Sequence, residues 1–418
     1  MKKYLLSTSV LCAVSLLVAP EMAIAGGHTK KAFDTKKGDG YEAVAGRAGS
    51  FKFNPKLTVE QVFDDNFYKE NSGASSKDYT VINPEVTIKS DWNQNELRIN
   101  GSVERDQFSG SSADNATQSD LRLRFRLDAS KKAQLKFEGR QRNLIEERGD
   151  DNTSTDDLAP TEYKRNNWGV SYEYKPNRLG INLGVRYDDY DYDDTAKEGG
   201  GTTNNDDRDR KETKYKWRVG YEIQNGYEAF VRGEIIDVDY DAASDDNSEK
   251  RDSDGYTAEA GIKIELSKLV DADVALGQIK REFAESSFSD ISETIANAKV
   301  TWHATPLTKI RLSASRNLNE TTTSGTSGNL ATSFGIGIDH EFLRNLKAKV
   351  DYKVSTTDYE DASNNRSDDK DKFDVALDYD MNRTFSLGLK YTFEERDSNI
   401  NTNDYDRNIF MIKLAGKF

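Results

Sequence analysis

The chain contains one cysteine and six prolines in 418 residues, and each scarcity excludes a class of protein. A single cysteine excludes a disulfide framework. Few prolines argue against a linker-like polymer. A helical membrane protein needs about 20 consecutive apolar residues for each span. With 32% charged and 35% hydrophobic residues and a mean hydropathy of −0.82, this chain is too polar for that class.

Aromatic residues are abundant despite this polarity, with 20 Tyr, 18 Phe and 4 Trp. Disordered chains are poor in aromatic residues, so disorder is not the explanation. A water-filled β-barrel fits, because its apolar residues face lipid and its polar residues face a lumen. The formal net charge of −14 also argues against a nucleic-acid partner, which would require a basic face.

Residues 1–25 have the pattern of a secretory signal peptide. Lys2 and Lys3 precede an apolar run, and Ala23-Ile24-Ala25 is a cleavage site of the A-x-A type. Cleavage after Ala25 removes Cys12, so the mature chain has no thiol. Residues 26–50 show no periodicity and are interpreted as a flexible periplasmic lead-in, or alternatively as a partner-binding or pore-plugging segment.

From Phe51 to the C-terminus, apolar and polar residues alternate with the period of two that is typical of strands. Leu121, Leu123, Phe125 and Leu127, for example, interleave with three arginines. Short turns alternate with mostly longer loops rich in Asp, Asn, Ser and Gly, as in outer-membrane barrels with periplasmic turns and extracellular loops. This rhythm predicts an all-β, up-and-down antiparallel transmembrane barrel over residues 51–418, with 18 strands, or alternatively 16.

Three local features carry more specific predictions. Asn225-Gly226 predicts a type I′ hairpin turn, which needs two positive φ values. Pro84 cannot donate a ladder hydrogen bond, so its strand is expected to begin after it or to bulge there. The last strand alternates to a terminal phenylalanine, which resembles the signal read by the outer-membrane insertion machinery; the alternative is an ordinary amphipathic edge strand. The residues of this signal are Phe410, Ile412, Leu414, Gly416 and Phe418.

Tyrosines near predicted strand ends suggest an aromatic girdle at the membrane interface. They are Tyr187, Tyr190, Tyr192, Tyr240, Tyr256, Tyr359 and Tyr405.

The sequence resembles a known family of Gram-negative proteins, the outer-membrane β-barrel porins of type 2. The resemblance covers roughly residues 55–418 and rests on the order of several short motifs. They are Asp65-Asn66-Phe67, Glu173 to Leu179, Tyr190 to Asp193, Thr301-Trp302, Thr305 to Thr308, Ser315-Arg316 and Arg396 to Asn399. The resemblance implies a barrel in the cell outer membrane, and some relatives are associated with exopolysaccharide production. The family has no catalytic motif that could be matched to residues of this sequence.

If the apolar stripe of each strand faces lipid, the other stripe lines a pore. The same parity places basic residues on strands three to five and acidic residues on other sectors of the wall. The basic candidates are Arg98, Arg122, Arg124, Arg126, Lys136, Arg140 and Arg142. The acidic candidates are Glu259, Glu265, Asp271, Asp273, Asp374 and Asp378. Guanidinium groups bind carboxylates and phosphates by bidentate contact, so the pore is expected to favour anionic solutes or an anionic polysaccharide. The alternative is an ordinary polar wall in which neighbouring acids neutralise the arginines.

The function predicted is a porin-like channel for passive passage of hydrophilic solutes, or for export of a polysaccharide. Expected partners are outer-membrane lipid, lipopolysaccharide and the insertion machinery, with no cofactor and no metal. The acidic loops suggest bridging to lipopolysaccharide through divalent ions, or simply solvated loops. An enzyme is not expected, because His28 lies in the lead-in and neither His303 nor His340 has a serine nearby in a recognisable elbow. The remaining alternative is a structural or receptor barrel whose acidic outer loops bind a surface partner, its lumen closed by inward-folded loops such as 194–209.

Overall fold

The computed structural model describes residues 41, 43–110, 112–150, 153, 156–266, 269–362 and 364–418. The predicted signal peptide and its cleavage site lie outside these residues. Eighteen long strands make up most of the structure. They are β1 Phe51–Asp64, β2 Lys77–Ser90, β3 Glu96–Phe108, β4 Ala116–Ser130, β5 Ala133–Glu146, β6 Thr161–Tyr174, β7 Leu179–Tyr192, β8 Arg210–Gln224, β9 Tyr227–Tyr240, β10 Ser253–Leu266, β11 Val270–Phe283, β12 Ile291–Thr305, β13 Thr308–Asn319, β14 Gly328–Leu343, β15 Leu346–Glu360, β16 Ser367–Asp380, β17 Phe385–Ser398 and β18 Tyr405–Lys417.

Each strand pairs antiparallel with its neighbours in sequence, and the sheet closes on itself. The closing ladder joins β1 to β18, from Lys56 opposite Lys417 to Asp64 opposite Ile409. Closure removes the free edges that a strand cannot leave unpaired in hydrocarbon. The predicted up-and-down barrel of 18 strands is therefore confirmed.

The two-residue alternation places apolar side chains on the outer surface. On β4, Leu121 and Leu123 are 53% and 43% exposed, whereas Arg122 between them is 7% exposed inside the barrel. Exposed aromatic side chains collect near one end of the strands, among them Tyr174, Tyr221, Trp302 and Tyr379. Among the described residues, no helix is long and apolar enough to cross a bilayer.

Most of the residues predicted to form the aromatic girdle point into the barrel instead. Tyr190, Tyr192, Tyr240, Tyr359 and Tyr405 are each at most 9% exposed. Arginines stack over their rings, as Arg210 does over Tyr190 at 4.0 Å and Arg366 over Tyr359 at 4.1 Å. The prediction was wrong for these five because it used only their position near strand ends and ignored the parity of the strand.

Connections are short at one end of the barrel, here called the turn end, and mostly longer at the other, the loop end. The connection at Asn225-Gly226 is a hairpin, but its turn is not type I′. Gly226 has a φ of +81°, whereas Asn225 is not among the described residues with positive φ. The register shifts between Glu222 and Gln224, which is the geometry of a turn followed by a bulge.

The expectations for Pro84 were both wrong. Strand β2 runs through Pro84, which lies opposite Leu57 of β1. On the β3 side, ladder pairing lapses at Asn83 and Pro84 and then resumes without a change of register. The Asn83 side chain donates to Glu104 at 2.7 Å, so a side-chain bond joins the two strands where the ladder is interrupted.

Part of the predicted lead-in pairs with the barrel. Gly46–Ala48 form a short strand antiparallel to Phe51–Phe53 at the turn end. The edge of β1 is free there because the ladder with β18 begins at Lys56. The short strand therefore covers an edge that would otherwise be open to pairing with another chain.

Candidate functional site

The basic residues predicted from parity lie together on the inner wall formed by β3, β4 and β5. Ladder partners share a face of the sheet. Arg98 lies opposite Arg124, Arg122 opposite Arg140, and Arg126 opposite Lys136. Arg142 lies opposite Asp120. All seven side chains thus belong to one surface facing the lumen.

Carboxylates on the same face neutralise part of this charge. Glu138 accepts from Arg122 at 2.7 Å and lies 3.6 Å from Arg124. Asp120 pairs with Arg140. Two pairs lie nearer the turn end, Arg126 with Asp128 at 3.0 Å and Lys136 with Glu173 at 2.6 Å.

Two further arginines extend the basic wall onto β6 and β7, and sequence reasoning missed them. Arg165 lies opposite Arg142, and both Arg165 and Arg186 donate to Asp188. The parity rule applied to β6 and β7 would have found them, because outward Trp168 and Val185 alternate with them. We call the mid-lumen set the cationic belt. It comprises Arg98, Arg122, Arg124, Arg140, Arg142, Arg165 and Arg186.

The predicted acidic residues lie in two separate sectors, one on β10 and β11 and one on β16, and most of them are paired. Arg232 holds Glu259 at 2.7 Å and Asp273 at 3.0 Å. Lysines hold Glu265, Asp374 and Asp378. Both sectors are therefore closer to neutral than their acids alone suggest, and the stronger charge excess lies on the cationic belt.

At the loop end the lumen is filled by inward-folded connections, beginning with loop 1 (65–76). Phe67 is 2% exposed and packs against the inward rings of Tyr79 and Phe108, with centroids 6.0 and 5.0 Å away. The side chain of Asn66 donates to the carbonyl of Asp406 at 2.8 Å. The Asp65-Asn66-Phe67 motif thus fastens loop 1 to the last strand and inserts a ring into the barrel.

Loop 3 (147–160) locks onto loops 1 and 2 (109–115) through the buried Arg148. Its guanidinium donates to Asp114 at 2.8 and 2.6 Å and to the carbonyl of Asp157 at 3.0 Å. It also lies over the ring of Tyr68, 4.6 Å from the centroid. The Tyr68 hydroxyl donates to Asp114 at 2.7 Å. One guanidinium therefore joins three loops.

The loop that was expected to close the lumen, 194–209, does so only at its foot. The tip, residues 198–202, is exposed, whereas Asn205, Asp207 and Arg208 are buried. The carboxylate of Asp209 accepts from the amide of Tyr192 at 2.6 Å. Burial, reinforced by neighbouring carboxylates, raises the pKa of Asp209 to about 6.

The turn end is more open. The inward side chains of Lys56 and Lys349 are 40% and 51% exposed, whereas Asp64, Asp114 and Asp188 toward the loop end are fully buried. A cavity of about 310 Å³ opens there beside β8 and β9, lined partly by Arg218 and Glu228. The lumen is therefore a vestibule that narrows toward the loop end.

The remaining candidate residues are placed as follows. Phe410, Ile412, Leu414 and Phe418 are exposed on the outer face of β18 or just beyond it. His303 and His340 lie on separate strands at the turn end, and His28 lies outside the described residues. Among the described residues, no group of three or more His, Cys, Asp or Glu is placed to hold a metal ion.

A closed barrel with an apolar outer surface and a charged lumen is the architecture of a porin-like outer-membrane barrel. The chain belongs to the family described as "Putative beta-barrel porin 2", whose model matches residues 39–418. This confirms the resemblance inferred from the sequence motifs.

Several solved structures are similar to this chain. They include the siderophore receptor PirA from Acinetobacter baumannii, with 8% identity, TM-score 0.47 and coverage of 88% of this chain and 80% of that chain. OccK5 (OpdH) from Pseudomonas aeruginosa has 12% identity, TM-score 0.44 and coverage of 88% and 98%. OccAB4 from A. baumannii has 11% identity, TM-score 0.46 and coverage of 88% and 98%. A search of curated proteins finds no match.

Proposed function

We propose that the protein is a passive channel through which hydrophilic solutes cross the outer membrane. The observation that carries this proposal is the charged vestibule inside a closed 18-strand barrel. Barrels of eight strands are filled by their own side chains, whereas those of 16 to 18 strands leave room for an aqueous path. Membership in a porin family supports the same conclusion.

Conductance of the purified barrel in planar bilayers tests this function. We expect discrete ion-conducting steps with wild-type protein, and larger or more frequent steps when the loop-end lock is weakened by Arg148→Gln. Folded protein that inserts but conducts no ions in either form would contradict the proposal.

Export of a polysaccharide is a second candidate function, and it is favoured because the lumen is wide at the turn end and narrows toward the loop end. The start of β1, the end of β18 and the open vestibule lie at the turn end, which the topology of outer-membrane barrels places in the periplasm. A polymer arriving from the periplasm would meet the open end first. Export needs the loop-end lock to open, so a variant locked by a disulfide between loops 1 and 3 should lose polymer secretion in cells.

A non-conducting receptor is the third candidate, supported by the buried loop end. A receptor of this kind would have the same structure as a channel but would behave differently in a transport experiment. Liposomes carrying the barrel would then fail to swell in any sugar, and removal of the Arg148 contacts would not change this.

A further inference from the structure

The cationic belt has a register that cross-strand energetics disfavour. Three directly opposed pairs join like charges, namely Arg98 with Arg124, Arg122 with Arg140, and Arg142 with Arg165. Like charges directly opposite each other destabilise a sheet. A wall with three such contacts is stabilised by any anion that binds between its guanidinium groups.

The carboxylates within the belt do not balance this charge. Seven arginines share Asp120, Glu138 and Asp188. Arg98 and Arg142 form no ion pair with any residue that the structure describes. The belt therefore retains positive charge for which a mobile anion is the available partner.

A recess in the wall adjoins these arginines. It measures about 220 Å³ and is lined by residues of β3 to β7, including Gly169 and Ser171. Four cationic side chains, Arg124, Arg126, Lys136 and Arg186, outnumber the two carboxylates in the lining, Glu96 and Glu138. Gly169 faces inward between Glu138 and Arg186. Because Gly169 has no side chain, the wall is indented at this point. The recess is smaller than sites for drug-sized ligands, about 300–1,000 Å³, and suits a single ring-sized group.

The recess also offers an acceptor. Asn167 lines it and is 4% exposed, and its side-chain oxygen accepts no hydrogen bond from any described residue. A buried polar atom without a partner destabilises the folded protein, because its lost hydration is not replaced. A hydroxyl group of a bound ligand would satisfy it.

We propose that the recess over Gly169 binds an anionic, hydroxylated group carrying a carboxylate or a phosphate. Arg124 and Arg186 contact the anion, Arg98 beside Arg124 adds uncompensated charge, and Asn167 accepts from a hydroxyl. This assignment rests on the proposed function only in that the solute reaches the lumen. Guanidinium groups recognise both kinds of oxyanion by paired N–H donors.

Calorimetric titration of the detergent-solubilised barrel tests the assignment without requiring conduction. The probes are galacturonate and glucose 6-phosphate, each compared with its neutral sugar, galactose or glucose. We expect at least one anion to bind tenfold or more tightly than its neutral partner, and the arm that responds separates carboxylate from phosphate. Equal affinity for charged and neutral sugars, or no binding of either anion, would overturn the proposal. A barrel that conducts ions but binds neither anion would refute this site while leaving the channel intact.

Two variants with matched controls localise the site. Gly169→Ser fills the floor of the recess and should weaken anion binding at least tenfold, whereas Gly139→Ser, with nothing within 4 Å of its added Cβ, should not. A Cβ at Gly169 would lie 3.1 Å from the carbonyl oxygen of Val185, so folding is checked by heat-modifiable migration on gels.

Arg98→Gln should weaken binding at least threefold. Lys353→Gln removes the same charge from the inner face of β15 and should change binding less than twofold. Equal effects of these two variants would mean that general lumen charge, and not the recess, attracts the anion.

Discussion

Replacing Arg148 with glutamine should unfasten the loop end of the barrel. The guanidinium makes two bonds to Asp114, one to the carbonyl of Asp157 and a ring contact with Tyr68. Removing one partner of a buried ion pair costs about 3–5 kcal/mol, because the other charge stays buried without compensation. Lys77, 3.3 Å from Asp114, offsets part of this cost, so the expected loss is about 3 kcal/mol.

This loss should appear as faster hydrogen exchange in loops 1 to 3. With about 1.4 kcal/mol per factor of ten, 3 kcal/mol corresponds to roughly a 100-fold fall in amide protection there. Strands β10 to β16 should keep their protection, because none of them contacts Arg148. The double variant Arg148→Gln/Asp114→Asn removes the orphaned carboxylate and should recover much of the loss. Protection in loops 1 to 3 that falls less than about threefold, or a double variant worse than the single one, would refute the reasoning.

Three further predictions follow from other parts of the molecule. The pKa of Asp209 in the folded protein is raised to about 6, so its carboxyl stabilises the folded loop foot at low pH, and this contribution is lost as the pH rises through 6. Hydrogen exchange at residues 205–209, corrected for intrinsic rates, should therefore be slower at pH 5 than at pH 7.5. Asp209→Asn should abolish this difference. Phe418→Ser removes a ring that is 56% exposed and makes one edge contact with Phe385. It should therefore slow assembly into membranes several-fold while barely changing the stability of the assembled barrel. Equal losses in assembly rate and in stability would contradict a role as an insertion signal. Leu123→Arg places a charge on the lipid face between two native arginines and should cost about 2–4 kcal/mol in urea unfolding from liposomes, against less than about 1 kcal/mol for the inward Ser102→Arg.

Strand positions could be predicted from the sequence because the barrel imposes one rule along the whole chain. Every strand separates lipid from water, so polarity alternates residue by residue, and Leu121 to Leu127 show this without any tertiary information. Parity also placed Arg98 and Arg140 on the same wall, although they lie on different strands.

The closure of the loop end could not be predicted, because it depends on contacts between segments far apart in sequence. Nothing local marks Arg148 as the partner of Tyr68, 80 positions earlier. The tyrosines were misplaced for a different reason, because strand parity was not applied to them; the contacts of Arg210 show the result. Tyr190 and Tyr240 look like interfacial anchors until Arg210, on the strand between them, is seen to lie near both rings.

The central claim is that alternate residues of each strand face lipid and water, and cysteine scanning along β4 tests it most directly. The only native cysteine, Cys12, is replaced by serine, and single cysteines are introduced at positions 121 to 127. In liposomes, a membrane-impermeant thiol reagent should modify Arg122→Cys, Arg124→Cys and Arg126→Cys and leave Leu121→Cys, Leu123→Cys and Leu127→Cys unmodified. Uniform labelling, or labelling of the leucine positions alone, would contradict the account.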